Sequence, residues 1–238
     1  MSVDLERYRE FLKEPWGRIQ YEVTFARLEH IENKQILDFG SGLGLTSEFL
    51  SRKNDVIAME PNAEMLDVET KTAYRKILGS LEQLEKLEAD SFDVVLCHNV
   101  LEYIEPSQRV HYMKQFQRVL KPEGELSIIK HNHVGKVIQM VVFENDLTKA
   151  LQLLGGENFE SVSFRQGEMY TIEELLGLSH MTLEKYQGIR TFYALQPNAF
   201  KTGDRWLEEM TRMELAVCDL KPYKDISFFQ HVWLKNNK

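Results

Sequence analysis

The spacing of apolar residues changes several times along the chain, and each change marks an element. Between residues 4 and 31, Tyr8, Phe11 and Leu12, then Ile19, Val23, Phe25, Leu28 and Ile31, recur at roughly helical spacing. Pro15-Trp16-Gly17 breaks that run into two helices. Gln35-Ile36-Leu37-Asp38-Phe39 then reads as a short buried strand ending in a glycine-rich turn, and residues 45–52 return to helical spacing. Val56-Ile57-Ala58-Met59 is a second strand, followed by a helix from Pro61 into the seventies. Lys76-Ile77-Leu78 is a weak third strand and Phe92-Asp93-Val94-Val95-Leu96-Cys97 a fourth. An amphipathic helix over 106–120 leads into a fifth strand, Glu125-Leu126-Ser127-Ile128-Ile129. Strands alternating with helices predict right-handed crossovers and a mostly parallel sheet covered on both faces.

After residue 134 the alternation loosens. Residues 136–153 read as one helix carrying Val137, Met140, Val141, Phe143 and Leu147 on a face, closed by Gly155-Gly156. Thr171-Ile172-Glu173-Glu174 has the form of a capping box, in which Thr171 and Glu174 satisfy orphan amides reciprocally. Residues 185–193 read as a strand, 204–219 as an amphipathic helix and 226–234 as the last strand.

Composition narrows the classes. Hydrophobic residues make up 43 % of 238, enough for a real core. The net charge of −8 recruits neither nucleic acid nor an anionic membrane surface by itself. Cys97 and Cys218 lie far apart, without CxxC spacing, so neither a disulfide framework nor a structural zinc is expected. The charged segment MSVDLERYRE does not read as a secretion signal, and no stretch has the length of a membrane span. The expected location is the cytoplasm, with no membrane and no metal.

Candidate chemistry concentrates at Gly40-Ser41-Gly42-Leu43-Gly44, between the first strand and a helix. Glycines there admit positive φ and let backbone approach a ligand, and the helix start adds free N–H donors. GxGxG also occurs as a plain tight turn. Glu60, 20 residues beyond Gly40 at the end of the second strand, is placed to accept both hydroxyls of a ribose, or else is a solvated strand end. A dinucleotide GxGxxG would need glycine at position 45, which is Leu45, so no pyrophosphate cradle is evident and a nicotinamide-dependent oxidoreductase is disfavoured. A ligand with a ribose and no phosphates fits better.

These residues resemble the class I S-adenosylmethionine-dependent methyltransferases. The likeness runs through residues 36–44, then Met59-Glu60-Pro61-Asn62 with Met65, then Ser91 to His98, then Val119-Leu120-Lys121-Pro122-Glu123-Gly124-Glu125-Leu126. It implies an α/β, Rossmann-like fold: a seven-stranded, mostly parallel sheet, last strand antiparallel, with helices on both faces. It implies S-adenosylmethionine as cofactor, held by Asp38, Gly40, Gly42 and Gly44, with Glu60 on the ribose and Pro61 and Met65 on the adenine. Ser80, beside Leu81, stands where the family often has an acidic residue reading the adenine amino group. His98 ends the fourth strand at the mouth of the pocket, or is a strand-end histidine bonded to backbone. Arg18 is a candidate for the methionine carboxylate, or a surface arginine. One domain is expected: N-terminal helices over 1–33, a cofactor-binding core over 34–133, a candidate lid or substrate insertion over 134–170, and the remaining sheet over 171–238.

The methyl acceptor is less legible. Lys130, His131, Asn132 and His133 follow the fifth strand as a polar rim; the His131/His133 pair is an HxH spacing without an acidic or cysteine cluster to complete a metal site. Within the superfamily the chain is most similar to bacterial tRNA 5-carboxymethoxyuridine methyltransferases, which esterify a carboxylate on a wobble uridine. That likeness rests on His98-Asn99-Val100-Leu101-Glu102-Tyr103, Asn132 and Gly135, Gly188-Ile189-Arg190-Thr191-Phe192, Glu214, Pro222-Tyr223 and His231-Val232. It implies that His98, Asn132 and Arg190 position the acceptor, Arg190 by pairing with a carboxylate or phosphate. An RNA enzyme is expected to gather cations near its pocket. Residues 144–174 carry only Lys149 and Arg165 against Glu144, Asp146, Glu157, Glu160, Glu168, Glu173 and Glu174. A small-molecule carboxylate, amine or hydroxyl therefore stands beside tRNA as acceptor. A non-catalytic S-adenosylmethionine-binding module is the remaining alternative.

Overall fold

A computed structural model describes residues 10, 12–160 and 166–238. Tyr8, Phe11 and Arg165, and most of the first expected helix, lie outside the described residues. The elements are α1 (Pro15–Leu28), β1 (Gln35–Phe39), α2 (Leu45–Leu50), β2 (Asp55–Glu60), α3 (Ala63–Leu66), β3 (Arg75–Leu78), α4 (Leu81–Leu84) and β4 (Phe92–His98). They continue as α5 (Pro106–Val119), β5 (Leu120–His131), α6 (His133–Val142), α7 (Leu147–Leu154), β6 (Phe159–Glu160), β7 (Gln166–Gly167) and α8 (Ile172–Gly177). β8 (Thr182–Ile189), α9 (Asp204–Val217), α10 (Tyr223–Ile226) and β9 (Phe229–Lys235) complete them.

Seven strands pair in the order β3-β2-β1-β4-β5-β9-β8, and β1 to β5 are parallel neighbours. The last strand reverses. Gly124, early in β5, accepts from the amide of Asn236, just past the end of β9; Asn132, just past the end of β5, donates to the carbonyl of Phe228, just before β9. Such opposed pairing is antiparallel, as the resemblance implies. β6 and β7 form a separate two-stranded antiparallel hairpin.

The residues group into two compact units, each built from separated pieces of chain. The first takes 27–129, 172–185 and 232–238, the second 1–26, 130–171 and 186–231. In the first unit β1 is exposed only at Gln35 and buried from Ile36 to Phe39, which explains why it reads as a continuous apolar run rather than an alternating one. Leu28, Ile31, Ile36, Leu50, Val56, Val94, Leu96 and Trp233 pack there into one cluster. In the second unit Met140, Ala150, Leu153 and Phe159 form another, across α6, α7 and β6.

Several boundaries differ from the sequence reading, each for a local reason. The helix expected over 136–153 is two helices. Asn145, at φ 53°, turns the chain left-handed after α6, and the Asp146 carboxylate accepts from the amide of Lys149 to cap α7. The helix expected from Pro61 into the seventies is the single turn α3, capped by Asn62. Beyond it the Thr72 hydroxyl is drawn to Ser51 Oγ at 2.7 Å and to the Glu48 carbonyl, so residues 67–74 follow the end of α2 instead of coiling. The strand expected over 185–193 starts earlier, at Thr182, and stops at Ile189, because Arg190 has φ 61°, outside the strand region. Among the described residues no helix is long and apolar enough to cross a membrane.

Candidate functional site

The chain runs from β1 outward to β2 and β3, then returns to β4 on the other side of β1. That reversal opens a crevice at the carboxyl ends of β1 and β4, where doubly wound sheets bind ligands. Gly40 leaves β1 with its amide on the Met59 carbonyl, 2.8 Å away, so the turn begins bonded to β2. Gly42 and Gly44 have φ of 56° and 76°, a region that side chains resist. The two glycines differ in surroundings. A Cβ on Gly44 would meet the Tyr74 hydroxyl at 2.1 Å, so that glycine is required by packing. A Cβ on Gly42 would have one described neighbour within 4 Å, Met65 Cε at 3.5 Å. Space at Gly42 is open.

Glu60 is bonded to that glycine. It is 7 % exposed, and its two oxygens accept from the amides of Gly42 at 2.9 Å and Asn62 at 3.0 Å. The carboxylate thus ties the glycine turn to the turn after β2. Burial raises its pKa above the usual carboxylate value, while the two backbone bonds pull the other way. Asn62 caps α3 and thereby fixes Met65, which is buried beside the turn, while Pro61 is exposed.

Asp38 is buried in β1 and accepts from Ser47 Oγ at 2.6 Å. Burial, with the Glu60 charge adding to it, raises its pKa from 3.8 to about 6 despite the Ser47 bond. Such an acid is ionised at a cost in the folded state. The cost is absent below pH 3.8, where both states are protonated, and complete above about pH 6. At about 1.36 kcal/mol per pKa unit it approaches about 3 kcal/mol. Asp38→Asn is expected to gain stability relative to the parent as pH rises from 4 to 8, by up to that amount. Urea unfolding at both pH values measures it; a difference independent of pH would show that Asp38 carries no such cost.

The acidic run over 81–90 contains one carboxylate that turns back on its own helix start. Glu82 bends back so that Oε1 accepts from the Ser80 amide at 3.0 Å, which lowers its pKa. A carboxylate therefore stands at the turn where Ser80 was the only candidate. Tyr112, on α5, was also missed: its hydroxyl lies 3.5 Å from Ser80 Oγ and its ring meets Phe39 edge-on at 5.8 Å. Its position in an ordinary amphipathic helix gave no signal, whereas Glu82 sits two residues beyond the helix cap Ser80 and within reach of its amide. Leu81, beside them, is half-buried.

His98 closes β4 half-buried, with Nε2 2.9 Å from Ser127 Oγ on β5. Desolvation lowers its pKa from 6.5 to about 3, so the ring is neutral at physiological pH.

The second unit holds the other named residues. Arg18 is exposed and pairs with Asp204 at 3.0 Å and Glu22 at 3.7 Å, the surface alternative for this residue. Asn132 spends both amide hydrogens on the carbonyls of Asp225 and Ser227, each at 2.8 Å, and so fastens the loop ahead of β9. His131 and His133 diverge. His131 stacks among Phe159, Phe228 and Phe229, while His133 Nε2 lies 2.8 Å from the Leu153 carbonyl. Among the described residues no group of three His, Cys, Asp or Glu could hold a metal. Arg190 is buried, its guanidinium 5.3 Å from the Tyr193 ring, 4.8 Å from Phe228 and 5.5 Å from Phe229.

Residues 37–128 match the family model described as a methyltransferase domain. Over 99 residues the chain is 32 % identical to an uncharacterised methyltransferase of Mycobacterium tuberculosis, covering 40 % of this chain and 39 % of that one. Over 140 residues it is 26 % identical to a ubiquinone biosynthesis O-methyltransferase of Coxiella burnetii, covering 52 % and 59 %. The chain thus spans between two fifths and three fifths of the length of these curated relatives. Among solved structures it is similar to an S-adenosylmethionine-dependent methyltransferase from Archaeoglobus fulgidus, with TM-score 0.60 and 14 % identity over 96 % of this chain and 99 % of that one. A Mesorhizobium loti counterpart gives TM-score 0.57 and 15 % identity over 93 % and 99 %. The match to a methyltransferase domain therefore falls on the strands and turns that carry Asp38, the glycine turn, Glu60 and His98, within the seven-stranded fold that these S-adenosylmethionine-dependent methyltransferase structures share.

Proposed function

We propose that the protein transfers a methyl group from S-adenosylmethionine to a carboxylate. One observation carries the cofactor half: the buried Glu60 carboxylate, held by the amides of Gly42 and Asn62, beside open space at Gly42. A ribose needs such an acceptor, and a methionine chain needs the approach that only a glycine leaves. Gly40, Gly42 and Gly44 line the methionine end and ribose, with Asp38 bracing the turn through Ser47. Pro61, Met65 and Leu81 pack on the adenine, and Ser80 with Glu82 reads its amino group. When bound, S-adenosylmethionine supplies an electrophilic methyl on a sulfonium.

His98 supports the acceptor half. A hydroxyl or ammonium acceptor has to lose a proton, and a base of pKa about 3 has little driving force to take it near neutrality. A carboxylate already carries its charge. One carboxylate oxygen forms the new bond to the methyl carbon as the carbon–sulfur bond breaks, giving a methyl ester and S-adenosylhomocysteine without proton transfer. The task of the chain is then to hold that oxygen in line and keep water out.

Two sources of carboxylate are argued for by different observations. The short motifs around His98, Arg190 and Glu214 support a carboxymethoxy group on a tRNA wobble uridine, whereas the acidic surplus over 144–174 weighs against polyanionic RNA and so favours a small carboxylic acid over it. Labelled S-adenosylmethionine incubated with a cell extract, then separated into RNA, protein and small molecules, tests both. Label released by mild base is expected, as esters hydrolyse and N-methyl groups do not. Base-stable label alone would overturn the carboxylate reading; base-labile label in tRNA would specify a methyl ester there and support the wobble-base source.

A further inference from the structure

The second unit gathers three cations around shared aromatic rings. Arg190 and Lys201 both lie on Tyr193, at 5.3 and 4.4 Å from its centroid. Arg190 and Lys136 both lie on Phe228, at 4.8 and 4.9 Å. Lys201 also lies 4.6 Å from the Phe143 ring. Arg190 is 9 % exposed and Lys201 7 %. Among the described residues, no carboxylate lies within ion-pair distance of any of the three. The buried Arg190 Nε and Tyr193 hydroxyl have no hydrogen-bond partner among them either. The nearby acids do not close the gap. Glu214 gives its two oxygens to the amides of Thr191, Phe192 and Tyr193, which holds the turn presenting Arg190, and Glu144 is exposed.

This arrangement is costly by itself. Aromatic faces return only part of what burying like charges together requires. Desolvation, with Arg190 adding to it, lowers Lys136 and Lys201 to a pKa of about 8, and burial lowers Arg190 to about 10. The left-handed φ of 61° at Arg190 is a further strain for a non-glycine residue. Strain, crowded like charges and unmet donors in one place are the marks of a site shaped for an oppositely charged ligand.

We infer that Lys136, Arg190, Lys201 and the Tyr193 hydroxyl form an oxyanion-binding centre that takes a carboxylate or phosphate group. Arg190 offers the planar fork that suits either oxyanion, the lysines add point charge, and Tyr193 donates one hydrogen bond. The centre lies wholly within the second unit and stands as an anion site without the carboxylate reading above.

The test uses the full chain without S-adenosylmethionine. Melting temperature is followed against inorganic phosphate, malonate and chloride at matched ionic strength. Saturable stabilisation by phosphate or malonate, beyond that of chloride, is expected; the stronger of the two identifies a phosphate-bearing or a carboxylate-bearing ligand. Arg190→Gln and Lys201→Met are each expected to weaken the apparent affinity about tenfold or more, the loss of one charge-assisted bond. Lys201→Met should also raise the melting temperature in anion-poor buffer, by relieving repulsion, where a lysine kept for packing would lower it. Stabilisation no greater than chloride gives, or unchanged in both variants, would overturn the inference. Because no methyl transfer is read, failure of the ester assay leaves this outcome distinct.

Discussion

Glu60→Ala is expected to raise the dissociation constant for S-adenosylhomocysteine by about a hundredfold or more while the protein remains folded. Two effects add. The first is the loss of the acceptor for the ribose hydroxyls; hydrogen bonds to a charged group contribute about 1.5–3 kcal/mol each, and 1.4 kcal/mol is a factor of ten. The second comes from the structure: the same carboxylate bridges the amides of Gly42 and Asn62, so its removal also frees the glycine turn. Glu60→Gln separates the two. Its single carbonyl can keep one amide bond, but its amide group faces the other N–H as a donor against a donor. Affinity for the alanine variant within a fewfold of the parent, in a calorimetric titration, would remove Glu60 from the site. The raised pKa gives a second readout. The ribose contact needs the ionised form, so parent affinity should fall as pH drops through the raised Glu60 pKa, and the alanine variant should lose that dependence.

The dual duty of Glu60 marks what the sequence carries and what it does not. The order of strand, glycine turn, helix, strand and acidic residue was legible because each member has a local chemical requirement: buried apolar runs for β1 and β2, positive φ at the turn, an acidic side chain at a strand end. The remaining sheet was legible for the same reason, and the resemblance supplied the reversal of the last strand. Partners far apart in sequence were not. Nothing local says that Asp38 meets Ser47 in a dry interior, that Tyr112 reaches Ser80, or that Lys136 and Arg190 share the Phe228 ring.

Other misses were local and readable. Asn145-Asp146 is a left-handed helix stop followed by a helix cap, and treating 136–153 as one amphipathic run passed over both. Charge follows the same rule: residues 144–174 are acidic along the sequence, whereas the cations that gather in the second unit come from residues 136, 190 and 201 and meet at aromatic rings. A deficit of basic residues along one segment therefore does not make the unit poor in positive charge at one point.

Gly42→Val is expected to fold and to lose cofactor binding. The folded backbone at Gly42 has φ 56°, where a non-glycine residue costs about 1–2 kcal/mol and a β-branched one more. Against the 5–15 kcal/mol typical of a domain, that strain is survivable. The side chain itself meets little protein, since among the described residues a Cβ would find only Met65 Cε, 3.5 Å away. Its two methyl groups would instead occupy the open space at Gly42, which the proposed function assigns to the ligand. Gly44→Ala makes the contrast. There even one methyl would lie 2.1 Å from the Tyr74 hydroxyl, so stability and binding should fall together. Thermal melts followed by circular dichroism, paired with calorimetric titration of S-adenosylhomocysteine, separate the cases. A folded Gly42→Val protein with near-parental affinity would mean that the turn serves the fold alone, and that the ligand approaches β1 by some other route.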